Sequence, residues 1–372
     1  MIKLMHNGLQ DLLLIDQYIR HQKIEFLSIE TPLPNYVKKL TSLIPIYSIG
    51  LHLRREYRHL AMGLRAWQNQ EADALFIFEI YLQNIFIVLP MLAWQRKTVY
   101  LSLHWNQQLA MHSRLKFFCL MYLKFFLKYF NFKAVLFEVD DDVIPEKFRL
   151  PSQAKIVTPM PIRSDAQPNL KQGERIAKNK TIKIGVVGMI RQDKPIAKLI
   201  EKLKKYTQSS TSTCELLLGV PLWQKPDNLE QWDVKIYDTT TEKQYIDLLN
   251  EIDILVAHYD EKRYYYRTSG VLSDAACCGC YVITSDYPAI HHQVNFPVKV
   301  GATFQDFNEL PFLLDQGINF IHQYGQDNQW LWREKRTAQE IAKILFESES
   351  TDLLQNSERN EWLIEEDRIK KD

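Results

Sequence analysis

The chain has 372 residues, of which 46% are apolar and 24% charged, and its formal net charge is +1. That length suits two domains better than one core, and the balance is ordinary for a globular protein. The longest uninterrupted apolar run, Ile85 to Trp94, spans ten residues and contains Pro90, well short of the roughly 20 that a membrane-spanning helix needs.

The opening MIKLMHNGLQDLLLID lacks the apolar stretch and cleavage site of a signal peptide, which predicts a cytoplasmic location. Five cysteines, an odd number, fit that compartment and argue against a disulfide framework. The small net charge hides an asymmetry. Residues 1–163 carry 20 Lys and Arg against 13 Asp and Glu, whereas the remainder carries 26 against 32. The positive half is suited to an anionic membrane surface or an anionic acceptor, or is simply solvated.

In chain order, IKLM reads as an opening strand, followed by an amphipathic helix over 11–21 and a second strand in KIEFLSI. Residues 31–50 hold three prolines and predict a loop with short turns. A basic helix follows over 51–68, and then ALFIFEI, TVYLSLH and FKAVLFEV are apolar runs of buried-strand length. Helical patterns separate them, which predicts parallel βαβ units. One of these, SRLKFFCLMYLKFFLKYFNFK over 113–133, sets Arg114, Lys116, Lys124 and Lys128 among Phe117, Leu120 and Met121. It reads either as a helix lying in a membrane interface or as a crossover helix with one solvated edge. Asp140-Asp141-Asp142 after the third of these strands reads as a solvated acidic turn.

Between Pro145 and Lys180 the pattern breaks around Pro151, Pro159, Pro161, Pro168 and Gly173, a linker composition. The expected division is a first α/β domain over 1–163, a linker over 164–180, a second α/β domain over 181–348, and a polar tail over 349–372. The second half restarts with TIKIGVVG, a helix over 195–206, CELLLGV, VKIYD, a helix, DILVAHY, another helix, and YVITS. Thr239 and Glu242 have capping-box spacing for the helix before DILVAHY.

Two segments carry candidate chemistry. In GVVGMIRQDKP a strand runs into Gly188, Arg191 and Lys194 flank the turn, and Pro195 suits a first helical turn. Strand ends of open α/β sheets hold ligands, and helix N-termini there attract phosphate. Two cations beside such a turn match a diphosphate.

The second segment, RTSGVLSDAACCGCYVITSD over 267–286, starts a helix at Ser269-Gly270 after a Tyr- and Arg-rich loop and ends it at Gly279. Ser269 or Thr268 suits the cap, and Gly270 permits close backbone approach. Asp274 follows one turn later, where the ribose of a bound nucleotide would sit. Cys277, Cys278 and Cys280 are too close together for three independent zinc ligands and read as small buried residues.

Taken together, these two segments resemble the nucleotide-binding half of retaining GT-B-fold glycosyltransferases, the group that includes sucrose synthases and many bacterial polysaccharide and lipid glycosyltransferases. The match covers roughly residues 181–295. The resemblance implies two Rossmann-like domains facing across a cleft. It implies a nucleotide-sugar donor as substrate, a saccharide or lipid-linked acceptor, retention of configuration, and neither a metal nor any other cofactor.

Residue by residue, Lys194 stands at the family's diphosphate-binding lysine, and Gly188 at its turn glycine. Met189 occupies the usual arginine position, with Arg191 as its substitute. Asp274 stands at the second glutamate, which binds ribose hydroxyls, and Tyr266 at the first, which contacts the donor sugar. Arg267, Ser269 and Gly270 fall where phosphate contacts are made. His104, ending VYLSLH, matches a histidine that faces the donor sugar from the first domain.

Two rivals stay open. One is a GT-B nucleotide-sugar epimerase, and the other is a non-catalytic subunit that binds a nucleotide or a partner enzyme. The basic residues are dispersed and no recognition module appears, which disfavours a nucleic-acid binder. Contact with the inner face of the membrane through 113–133 is a further expectation.

Overall fold

A computed structural model describes residues 24–27, 33–42, 47–68, 72–77, 80, 82–103, 106–162, 181–188, 196–224 and 234–347. The predicted strand IKLM, the helix over 11–21, the linker over 164–180 and the tail after 348 lie outside the described residues, as do His104, Met189, Arg191, Lys194 and Pro195.

The first half contains β1 (Ile24–Leu27), α1 (Asn35–Ser42), α2 (Tyr47–Gln68), β2 (Ala74–Ile77), α3 (Val88–Trp94) and β3 (Thr98–Ser102). It continues through α4 (Asn106–Met111), α5 (Arg114–Tyr129), β4 (Phe132–Phe137) and β5 (Lys155–Thr158). These five strands pair in chain order, all parallel. β2 is buried along its whole length and β4 at five of its six residues, with Lys133 half-buried, as expected when helices cover both faces of a parallel sheet.

β5 falls inside the segment expected to be irregular. Its KIVT sits between Pro151 and Pro159, and proline flanks outweigh a four-residue apolar signal in a sequence reading. In the fold, Ile156 and Val157 pair with Val135 and Leu136 of β4, so the sheet extends past the point where the linker composition begins.

The second half comprises β6 (Ile182–Val187), α6 (Ile196–Ser209), β7 (Cys214–Val220), β8 (Lys235–Asp238), α7 (Glu242–Glu251), β9 (Ile254–Ala257) and α8 (Glu261–Tyr264). There follow α9 (Gly270–Cys277), β10 (Tyr281–Ser285), α10 (Pro288–Asn295), β11 (Gly301–Phe304), α11 (Leu310–Tyr324), α12 (Asp327–Glu334) and α13 (Ala338–Glu347). α6 shows how sequence makes such an element. Ile196, Leu199, Ile200, Leu203 and Tyr206, at helical spacing, are all buried against β6 and β7, each worth roughly 1.5–3 kcal/mol as a large apolar group removed from water.

α7 starts two residues later than its spacing suggested. The Thr241 side chain accepts from Gln244 N–H, and Gln244 Oε1 accepts from Thr241 N–H at 3.0 Å. Thr239 instead donates its N–H to Val220 O, closing the turn before.

All six strands of this sheet are parallel, in the order β8-β7-β6-β9-β10-β11. Counted from β6, that order is 3-2-1-4-5-6, the doubly wound arrangement in which the chain reverses direction between the first and fourth strands. The crevice that binds ligands in such sheets therefore opens where β6 and β9 end.

α13 does not stay with the second half. Ile341, Ala342 and Leu345 are buried among Phe76, Val135, Phe137 and Ile156 of the first sheet and Met160 just past β5. The range 181–348 thus packs as two pieces. A sequence reading counts an amphipathic helix with the domain it follows, because nothing in its periodicity names the sheet it will cover.

Candidate functional site

β6 and β9 pair at Ile184↔Ile254 and Gly185↔Leu255, and Gly188 and His258 are the first residues past the ends of the two strands. Gly188 has φ 129°, a conformation that side-chain-bearing residues rarely adopt, and its N–H is held by Gly219 O at 3.0 Å. Between the strand ends lies a small cavity of about 10 Å³, lined by Val186, Val187, Ile196, Leu199, Val256, Ala257 and His258. His258 lies under Phe307 and Phe304, at ring separations of 4.7 and 5.9 Å. Its Nδ1 is buried without a hydrogen-bond partner among the described residues. Burial, with Lys198 nearby, pushes its basicity below that of an ordinary histidine, so the ring is held neutral.

His258 escaped the sequence reading, although it sits in the quoted DILVAHY. The available signal was its place, the first residue past the strand that follows the reversal of chain direction.

α9 packs beside these strands, its Val271 and Leu272 sharing a core with Val187 and Ala257. From Val271 to Cys277 every residue is buried, which explains its run of Ala, Ser and Cys: small side chains let a short helix sit close against the sheet. Cys280 Sγ–H donates to Leu249 O and Ile252 O, and burial raises the Cys278 and Cys280 thiols well above the ordinary range. Cys278 and Cys280 are packing groups, held protonated. Gly279 turns the chain out of the helix at φ 91°.

Ser269 is the N-cap residue, but its side chain does not cap. Its Oγ pairs with Tyr259 Oη at 2.6 Å. Its N–H donates to Gln293 Oε1 at 3.1 Å, and its C=O accepts from Gln293 Nε2 at 2.9 Å. The peptide N–H of Ser269 is therefore occupied within the protein. Gly270 is different: a Cβ added there would meet nothing within 4 Å, so its face is open to an approaching group. Gln293 was not singled out from sequence, since a glutamine inside PAIHHQVN gives no local sign of a partner 24 residues earlier.

Asp274 lies one turn into α9, is 8% exposed, and accepts from Tyr245 Oη at 2.9 Å. Burial, with Asp274 beside it, raises the Tyr245 hydroxyl far above its ordinary pKa, so that proton stays on the tyrosine. Arg267 is exposed, 5.7 Å from the Tyr264 ring. Tyr266 leaves the second half altogether. It is buried with Leu103, Ala110, Ile144 and Phe148 in the first core, and its hydroxyl donates to Val143 O at 3.3 Å. Gln108 Nε2 reaches back to Lys262 O at 2.9 Å. The Tyr-rich loop is thus a contact between halves as well as the lead-in to α9.

A second contact is ionic. Glu138, past the end of β4, has φ 73° and is buried. Arg336, fully buried, forms a paired contact with its carboxylate, with Nη2–Oε2 at 3.0 Å. His292 Nδ1 lies 2.9 Å from Oε2, and Met160 N–H donates to Oε1 at 2.9 Å. Burial alone would push this carboxyl up, but the Arg336 charge and the hydrogen bonds from His292 and Arg336 outweigh it and hold it at about 2.

The acidic turn nearby is solvated only in part. Asp141 is fully buried, its Oδ1 2.6 Å from Lys155 Nζ and its Oδ2 2.6 Å from Leu150 N–H. Asp140 shares the same lysine at 2.6 Å. Asp140 and Asp141 fasten β5 to the turn after β4, and Asp142 is exposed. Among the described residues no group of three metal-ligating side chains is found.

No family model matches the chain, and no curated protein is similar in sequence. Solved structures are similar in fold. HepE of Anabaena, solved with UDP-glucose, is 13% identical, with a TM-score of 0.52 over 76% of this chain and 81% of its own. Sucrose-phosphate synthase of Thermosynechococcus elongatus is 14% identical, with a TM-score of 0.52 over 90% of this chain and 81% of its own. Two facing parallel α/β halves and these likenesses establish the GT-B fold.

Proposed function

We propose that the chain is a glycosyltransferase that moves a sugar from a nucleotide-sugar donor to a saccharide or lipid-linked acceptor. The observation that carries this reading is the crevice at the reversal point of the second sheet. There Gly188 and His258 follow the ends of β6 and β9, and Gly270 opens α9 with a free face, in a fold shared with HepE, which was solved with UDP-glucose. The donor diphosphate would lie against Gly188 and the start of α9, with Lys194 and Arg191 supplying charge. As the sugar–phosphate bond breaks, negative charge gathers on the leaving diphosphate, and these two cations would stabilise it electrostatically. Transfer without a metal and with retention rests on the family resemblance. His104 would face the sugar from the end of β3.

The ribose role for Asp274 competes with Tyr245, which donates to the same carboxylate. A ribose hydroxyl there would replace or share that hydrogen bond. Removing the competitor in Tyr245→Phe is then expected to preserve or tighten nucleotide binding, whereas Asp274→Ala abolishes it.

The acceptor half is proposed to rest on the inner face of a membrane. Along α5, Leu115, Phe118, Phe125 and Tyr129 are 50–64% exposed, while Cys119, Leu120, Leu123, Phe126 and Leu127 are buried. The helix is therefore both a crossover helix and a carrier of an outward aromatic stripe, flanked by four cations and no acids. That composition suits anionic lipid headgroups.

A second reading has one observation in its favour. Tyr266 stands where the family carries a glutamate, and its side chain is buried in the first core. A chain that binds nucleotide or a partner enzyme without transferring sugar would look the same there. The deciding experiment is thermal stability with UDP, GDP and ADP, with Lys194→Ala and Asp274→Ala alongside, followed by turnover of the matching nucleotide-sugar. A shift with one nucleotide, lost in both variants, together with turnover, supports transfer. A shift without turnover on any acceptor supports the binding subunit, and no shift with any nucleotide sinks both readings of the donor site.

A further inference from the structure

α9 begins without a cap of its own, and what fixes its first peptide lies on another helix. Gln293, 1% exposed in α10, brackets Ser269 from both sides with its amide and also donates to Ser273 Oγ at 2.6 Å. Both of its amide N–H donors, and its oxygen as an acceptor, are thereby engaged on the first turn of α9. The backbone oxygen of the same residue accepts from Trp332 Nε1 at 2.9 Å and from Arg336 Nη2 at 3.4 Å. Arg336 Nη2 also donates to Phe296 O at 2.8 Å, and the guanidinium lies 4.2 Å from the Trp332 ring. Its remaining contacts go to Glu138, in the first half. One continuous set of buried hydrogen bonds therefore runs Glu138–Arg336–Gln293–Ser269, from the end of a strand in one half to the start of α9 in the other.

We infer that Gln293 is a positioning residue through which the Glu138–Arg336 contact between halves sets the first turn of α9. This rests on the donor-site reading, since α9 matters to a substrate only if phosphate lies at its start. The physical content is simple. A helix start held by its own side chain would keep its orientation whatever the other half does. Here the orientation is delegated to an amide whose backbone is anchored by the very arginine that grips the first half. Buried networks of this kind act as units, so loosening the far end loosens the near one. Donor affinity becomes dependent on the two halves being correctly seated, with no residue of the first half needing to touch the diphosphate.

Hydrogen–deuterium exchange on the full chain tests this without requiring any ligand. Gln293→Met, Arg336→Lys and Glu138→Gln are each compared with Lys155→Met, which loosens the first half outside the network. The expected result is faster exchange across 269–273 in all three network variants and an unchanged rate there in Lys155→Met. Should Gln293→Met not fold, Gln293→Glu, which keeps the acceptor for Ser269 N–H and loses both donors, takes its place. Faster exchange in the Gln293 variant alone would overturn the coupling, and no change in any of the three would overturn the positioning role as well.

A calorimetric titration with UDP, GDP and ADP adds the functional arm. A nucleotide bound by the unaltered protein should bind about fivefold or more weaker in Glu138→Gln, though Glu138 is not in the crevice; equal affinity would overturn the functional consequence. If the unaltered protein binds none of the three, it is the donor-site reading that fails, and the exchange rates still decide the coupling.

Discussion

The two halves share one architecture, a parallel sheet between helices, and differ in how their sheets end. The second sheet reverses direction between β6 and β9, so its strand ends part and leave a crevice. The first sheet runs in one direction through all five described strands. Beside it, Asp140 and Asp141 of the turn after β4 grip Lys155, the first residue of β5. One half offers a parted sheet end to a ligand, and the other pins its last strand with charge and turns aromatic side chains outward on α5.

The hardest way to break that comparison is to remove the charge joining the halves. Arg336→Met leaves the Glu138 carboxylate buried without its arginine and held only by His292 and Met160 N–H, an expected loss of about 3 kcal/mol, read by urea unfolding at neutral pH. The same ion pair predicts an acid limit. Because the Glu138 carboxyl is held at about 2 when folded, below its ordinary value of roughly 4.3, the stability it contributes is fully present above that ordinary value. It drains away as pH falls toward about 2. Glu138→Gln should flatten this part of a melting-temperature profile.

Next in size is the charged anchor of β5. Lys155→Met strips Asp141 of its cation and is expected to cost about 2 kcal/mol, with no change in nucleotide binding. If binding changes as well, the two sheet ends are not independent. Tyr266→Phe removes one 3.3 Å hydrogen bond to Val143 O and keeps the ring in the first core, so the loss should be about 1 kcal/mol or less. Smallest of all, Phe118→Ser combined with Phe125→Ser should alter stability by no more than about 1 kcal/mol, since both rings are at least half exposed. The same pair of substitutions should abolish sedimentation with vesicles containing anionic phospholipid. Unchanged sedimentation would remove the stripe from the membrane reading.

How much of this was written in the sequence depends on distance along the chain. CELLLGV and YVITS are strands over the same residues in the fold, and α2 contains the predicted basic helix entire. Those features depend on periodicity and propensity within a few residues. KIVT was obscured because its proline flanks dominate a local reading, although the pairing that makes it a strand comes from β4. Asp141 looked solvated for the same reason: its lysine is fourteen positions away. In the candidate site, Gly188, Ser269, Gly270 and Asp274 were visible because turn chemistry and family spacing are local. His258 and Gln293 were not, since one depends on strand order and the other on a partner in a different helix.

The return of α13 to the first sheet has a consequence for the order in which the molecule is made. Phe76, Val135 and Ile156 are packed against Ile341, Ala342 and Leu345, so the first half, translated first, waits for some of the last residues before its core is covered. Until then one face of that sheet stays wet and available to other chains, the condition under which nascent chains aggregate or recruit chaperones. A version truncated after Thr337 would keep the whole second sheet and still be expected to accumulate in inclusion bodies, for want of ten residues that belong, by packing, to the beginning of the chain.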